Sequence, residues 1–153
     1  MKRITLTLLI SISTLGLLAQ KGNLGDNPEE CKKYLSLYTE NLGQKIYKDA
    51  YKFWVKAVST CPEYNANLYD NGIYIMEKLR AEKGITKERK NSLRDSIIWA
   101  YNQSIKFFGD NPKINEDFGL DLIKMGKIDK GVERIKKAID TSNDAKAITI
   151  YYY

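Results

Sequence analysis

The chain has 153 residues, enough for one domain with a core, and its 43% hydrophobic and 29% charged content is that of a globular chain rather than a disordered one. The formal charge is +6, but Lys2 and Arg3 lie in a segment expected to be removed, and the +4 that remains is scattered. A nucleic-acid surface wants a basic stripe with interleaved aromatics. The densest basic stretch, Lys83 to Arg94, is diluted by Glu82, Glu88 and Asp95 and reads as a solvated helix face, so no nucleic-acid partner is expected.

The sequence contains no His, which excludes Ser-His-Asp and Cys-His catalysis and the usual zinc sites. Its two Cys are 30 apart and make no C-x2-C pair. Gly22-x2-Gly25 follows no strand and precedes no Gly-Lys-Ser/Thr, so it is not a phosphate loop. Carboxylate pairs such as Glu29-Glu30 and Asp117-Asp121 sit among lysines at ion-pair spacing. Neither an enzymatic activity nor a metal or other cofactor is expected.

At the N-terminus, Lys2-Arg3 precedes an apolar run from Ile4 to Leu18 that ends in Ala19. A basic start, a short apolar run and a small residue compose a secretory signal peptide over 1–19, cleaved after Ala19. The run falls short of the roughly 20 residues a spanning helix needs, so no stable membrane insertion is expected after cleavage. A buried N-terminal helix and an uncleaved anchor are the alternatives. The first Cys, Cys31, is too far on for lipid attachment. The expected location is periplasmic or extracellular, with 20–27 as a flexible linker.

Residues 28–62 read as a helical hairpin. Pro28 with Glu29 and Glu30 suits a first helical turn. Tyr34, Leu37, Tyr38 and Leu42 mark one apolar stripe; Ile46, Tyr47, Ala50, Trp54, Ala57 and Val58 mark a second. Gly43-Gln44 turns between them and Pro62 stops the second helix. Cys31 opens the first helix and Cys61 follows the end of the second, which brings them together in an antiparallel pair. In an oxidising compartment they are expected to form a disulfide.

The hairpin recurs. A shift of 81 residues carries Ala50 onto Gly131, Trp54 onto Ile135 and Ala57 onto Ala138, matching large to large and small to small. Thirty-four residues forward from Tyr38 is Gly72; 34 back from Gly131, Ile135 and Ala138 are Ile97, Tyr101 and Ser104. The middle hairpin, about 65–109, therefore holds a 13-residue excess between Leu79 and Leu93, read as two lengthened helices joined around Gly84-Ile85-Thr86, with Thr86 as the cap of the second. A third hairpin covers about 112–142. The expected fold is all-α, a solenoid of three antiparallel hairpins with a trailing half-repeat. Its expected repeat core is Tyr34, Tyr38, Ala50, Trp54, Ala57, Gly72, Tyr101, Gly119, Gly131, Ile135 and Ala138.

A 34-residue period is that of the tetratricopeptide repeat. Ala50-x3-Trp54 followed by Pro62 resembles that family's A-x3-F…P half, and Asn115-x2-Phe118-Gly119-x2-Leu122 resembles its W-x2-L-G-x2-Y half. Tyr38 and Ile97 stand where the pattern has small residues, and Asn143 stands where it has Pro. The long middle repeat and the export signal together resemble the secreted tetratricopeptide proteins of the Bacteroidetes. The resemblance implies a concave groove lined by the first helix of each hairpin, here Leu35, Thr39 and Leu42; Tyr69, Ile73 and Met76; and Glu116, Leu120 and Ile123, with interhelical core as the alternative for several of them. It implies an exported scaffold that holds a protein partner, whose ligand is expected to be an apolar helix or extended segment. Two alternatives stay open: an N-terminal interaction module of a larger envelope protein or enzyme, and a binder of acidic surface polymers. Residues 144–153 read as the start of a fourth repeat in a longer array, apolar enough for self-association.

Overall fold

A computed structural model describes residues 22–142. Among the described residues six helices form and no strand: α1 Pro28–Gly43, α2 Tyr47–Thr60, α3 Ala66–Arg80, α4 Lys87–Phe108, α5 Pro112–Lys124 and α6 Ile128–Thr141. The expected signal peptide and trailing half-repeat lie outside the described residues.

Local sequence sets most helix starts. The side chains of Asn27, Asn65, Thr86 and Asn111 each accept from the backbone N–H three residues on and so cap α1, α3, α4 and α5. Pro28 and Pro112 occupy first-turn positions, where a missing N–H costs nothing.

The turns of the first and third hairpins are the same turn, 81 residues apart. Lys45 N donates to Leu42 O and Ile46 N to Asn41 O; Gly126 N donates to Ile123 O and Lys127 N to Leu122 O. Both are Schellman closures, which place one residue in the left-handed region. That residue is Lys45 (φ 60°) in the first hairpin and Gly126 (φ 80°) in the third.

Each helix packs chiefly on its neighbours in the chain, from α1 on α2 through to α5 on α6, which is the one-dimensional stacking of a solenoid. The middle hairpin carries most of the core, with Leu68, Tyr69, Ile75, Met76, Leu93, Ile97 and Ala100 fully buried. Of the expected repeat core, Tyr34 and Ile135 are only half-buried and the other nine residues are buried. The excess of the middle hairpin falls largely in one helix rather than two. α4 has 22 residues against 14 in α2 and α6, whereas α3, at 15, matches the 16 of α1. Gly84, at φ 78°, bends the loop before Thr86 starts α4. The lengthened end reaches back over α2: Arg89 lies over the Tyr51 ring and Lys48 pairs with Glu82 at 3.6 Å.

Two close contacts fix how neighbouring helices meet. The Trp54 indole lies flat against α3, where a Cβ on Gly72 would stand 2.1 Å from Trp54 Cε2, and its Nε1–H donates to Leu68 O at 2.7 Å. In the third hairpin two glycines do the work. A Cβ on Gly119 would come within 2.8 Å of Gly131 O, and one on Gly131 within 2.7 Å of Gly119 O.

Cys31 and Cys61 form a disulfide with Cα atoms 5.8 Å apart. Closing this loop stabilises the first hairpin by about 3–4 kcal/mol in the chain-entropy model. Residues 22–27, expected as a linker, run without helix against the α2–α3 connection: Asn23 donates to Glu63 at 3.2 Å, and Gly22 lies close against Tyr64.

The left-handed lysine gives a direct test. Lys45→Gly is expected to raise unfolding stability by about 1 kcal/mol, because a β-carbon is disfavoured there, and Gly126→Ala to lower it by about as much. Urea denaturation of the two variants checks both signs.

At the packing contact, Trp54→Ala is expected to cost about 3–5 kcal/mol by leaving a cavity, and Gly72→Ala about 1–3 kcal/mol by overpacking. A cost under about 1 kcal/mol for Trp54→Ala would place the indole outside the core.

Candidate functional site

The nine residues expected to line a groove do not share one surface. Tyr69 and Met76 are fully buried and belong to the core, which corrects their assignment. Tyr69 donates its hydroxyl to Pro62 O and packs among Trp99, Phe107 and Phe108. Leu35 and Leu42 are half-buried against the core, and Thr39 is exposed with its hydroxyl bonded back to Leu35 O. Glu116, Leu120 and Ile123 are half-buried, and Ile123 meets Gly131 of α6. Of the nine, only Ile73 lines the cleft between α3 and α5.

That cleft holds about 390 Å³. Asp70, Ile73, Tyr74 and Glu77 of α3 form one wall, and Lys113, Ile114 and Asp117 of α5 form the other. Tyr101, Ser104 and Phe108 of α4 form the floor. The α3 residues follow i, i+3, i+4, i+7 spacing, a true helix face one position round from the expected one. Tyr74 and Phe108 present exposed rings at 47% and 38%. Glu77 pairs with Arg80, and Lys113 pairs with Asp117. Asp70 takes no hydrogen bond or ion pair among the described residues. Desolvation raises its carboxyl above the ordinary range, Lys113 opposes this, and Asp117 adds to it.

The cleft exists because the third hairpin is joined to the second through a narrow seam. Tyr101 stacks on Phe118 at 4.6 Å and donates to Asp121 Oδ2 at 2.8 Å. The Arg134 guanidinium lies over the same Phe118 ring, 4.9 Å from its centroid, and donates to the buried Asn115. Asn115 in turn donates to Asp110, which also receives Lys137. Through Asn115 this polar network joins the start of α5 to α6.

On the other side of the seam a second, larger cleft of about 710 Å³ opens between α4 and α6. Ile98, Phe118 and Leu122 line it together with Lys127, Lys130, Arg134, Lys136 and Lys137, against which stand only Glu133 and Asp140. Among the described residues no group of His, Cys, Asp and Glu is placed to hold a metal ion.

No protein-family model matches the chain, and no curated protein matches it. Among solved structures, the crystal structure of MamA protein is similar at 17% identity, covering 75% of this chain and 74% of that one, with a TM-score of 0.31. A score that low bears on neither fold nor function.

The buried phenols predict an alkaline limit. Burial pushes Tyr69 up to about 12 from the ordinary 10.0. Burial first, and then the Asp121 carboxylate, raise Tyr101 as well. Folded-state values above the unfolded one mean that this stability is whole below about pH 10 and is lost as pH rises toward about 12. Urea midpoints are expected to hold steady up to about pH 9 and to fall above about pH 10. A flat profile through that upper range would show both phenols to be solvated.

Proposed function

We propose that the chain is an exported scaffold that holds a protein partner on the face built from the first helices of its hairpins. The observation that carries this reading is the α3–α5 cleft, which presents the exposed rings of Tyr74 and Phe108. Exposed aromatics beside a cleft supply large contact area at small entropic cost, and they are enriched where proteins bind proteins. The tetratricopeptide resemblance of the sequence supports the same use. Export is supported by the basic and apolar N-terminus and by the Cys31–Cys61 pair, which suits an oxidising compartment. The resemblance to secreted Bacteroidetes repeat proteins points the same way. No helix among the described residues is long and apolar enough to cross a membrane.

A second reading, binding of an acidic surface polymer, rests on the α4–α6 cleft. Lys127, Lys130 and Lys136 stand there without an ion pair among the described residues.

One capture experiment separates the two. The tagged chain is used as bait on its native envelope, beside a Tyr74→Ala/Phe108→Ala variant and a Lys130→Glu/Lys136→Glu variant. The scaffold reading expects a protein to be retained by the wild type and the lysine variant and lost from the aromatic variant. Equal retention by the aromatic variant would sink it. Loss in the lysine variant alone, with steep salt dependence, would favour the polymer.

A further inference from the structure

The α3–α5 cleft carries a chemical preference beyond its shape. Its formal charges are Asp70, Glu77 and Asp117 against Lys113. Two of the carboxylates are already satisfied, Glu77 by Arg80 and Asp117 by Lys113. The remaining one, Asp70, stands across the cleft from Asp117 with neither a hydrogen bond nor an ion pair among the described residues. Asp70 is exposed at the cleft mouth, and with a second carboxylate facing it the cleft carries an excess of negative charge that one added cation would relieve.

A second, independent group points into the same space. Ser104, only 2% exposed, lines the floor of the cleft, and its hydroxyl makes no hydrogen bond among the described residues. A serine on a helix usually bonds back to its own helix, as Ser59 and Ser96 do here. Ser104 instead offers a free acceptor and donor to the cleft that Asp70 also lines. Ile73 and Ile114 of the walls and Phe108 of the floor supply apolar surface beside them.

We propose that the cleft is a specificity pocket for a lysine or arginine side chain of the partner protein, whose cationic head meets Asp70 and Ser104 while its methylene stem lies against Ile73, Ile114 and Phe108. The proposal rests on the scaffold reading above and adds the partner's chemistry. A long cationic side chain matches both halves of the site, since its stem packs on apolar surface and its head requires a carboxylate. A small inorganic cation would leave the apolar walls unused. An apolar anchor would leave Asp70 and Ser104 desolvated and unpaired, which costs more than the apolar contact returns.

The test uses the full-length chain, labelled with nitrogen-15, and two short capped peptides of Ala and Leu around one central residue. That residue is arginine in one peptide and citrulline, of the same shape but uncharged, in the other. The arginine peptide is expected to shift the amide signals of Asp70, Ser104 and Asp117. It is also expected to draw the Asp70 carboxyl titration back down. Asp70→Asn should weaken it about tenfold, as loss of a charge-assisted bond does, with Ser104→Ala weakening it less. Equal affinity for the two peptides, or an unchanged affinity in Asp70→Asn, overturns the cationic preference and leaves the scaffold reading standing. If neither peptide moves the cleft signals, the pocket itself is overturned, and the envelope capture with the Tyr74→Ala/Phe108→Ala variant decides separately whether the face binds protein.

Discussion

The contact between the Trp54 indole and the bare backbone at Gly72 sets the geometry on which the rest of the chain is built. No side chain intervenes there, so α2 and α3 approach until ring meets helix. The Nε1–H donates to Leu68 O, which prevents the ring from sliding. A buried indole N–H left unpaired would cost on the order of 1–3 kcal/mol, so packing and hydrogen bonding select the same position. With α2 and α3 locked in this way, Tyr69 and Met76 turn inward and Asp70, Ile73, Tyr74 and Glu77 turn out toward α5. The face proposed to meet a partner is therefore chosen by a core contact on the other side of α3.

The third hairpin solves the same problem without an aromatic. Gly119 and Gly131 let α5 and α6 touch backbone to backbone. Beside them the buried Asn115 is tied to Arg134 and Asp110. A polar hub of this kind is directional where an apolar one is adaptable, and it ties α5 firmly to α6. The bond from this hairpin back to the second is thinner, consisting mainly of Tyr101 with Phe118 and Asp121. A tight hairpin on a narrow seam leaves open space on either side of the seam, which is where the two clefts lie. One is edged with unpaired acid and the other with lysines.

The repeat was legible in the sequence because spacing survives substitution. The shift of 81 residues places Lys45 on Gly126, and the two turns close with the same hydrogen bonds although the residues differ. Thr86 as a cap, Trp54 as a core residue, and Cys31 near Cys61 followed from local chemistry and an antiparallel pair. Helix rotation was not legible. One residue on a helix is a turn of about 100°, so an offset of a single position moves a face from groove to core, as at Tyr69 and Met76. Between Leu79 and Leu93 neither helix length was legible, since Gly84 marks a bend without saying how far helix extends on each side of it. Ser104 and Asp70 gave no signal either. What distinguishes them is a missing partner, and a missing partner is visible only once α3, α4 and α5 have been brought together.

The two ends of the described array differ in a way that explains where covalent reinforcement sits. In a stacked array each inner hairpin gains an interface on both sides and an end hairpin on one, so the end frays first. At the first hairpin the deficit is met locally. The disulfide joins the start of α1 to the end of α2, and residues 22–25 lie along the α2–α3 connection, so fraying of α1 would have to strip that strap as well. On α6 the corresponding surface is a stripe of Ile128, Val132 and Ile139, each at least 40% exposed. An end clamped by about 3–4 kcal/mol holds the α1–α2 pair in register without help from any neighbour. The Trp54–Gly72 contact then has a rigid base to press against. The disulfide thus acts beyond its own loop, because the position of α3, and with it the face carrying Asp70 and Tyr74, is inherited from a hairpin that cannot open.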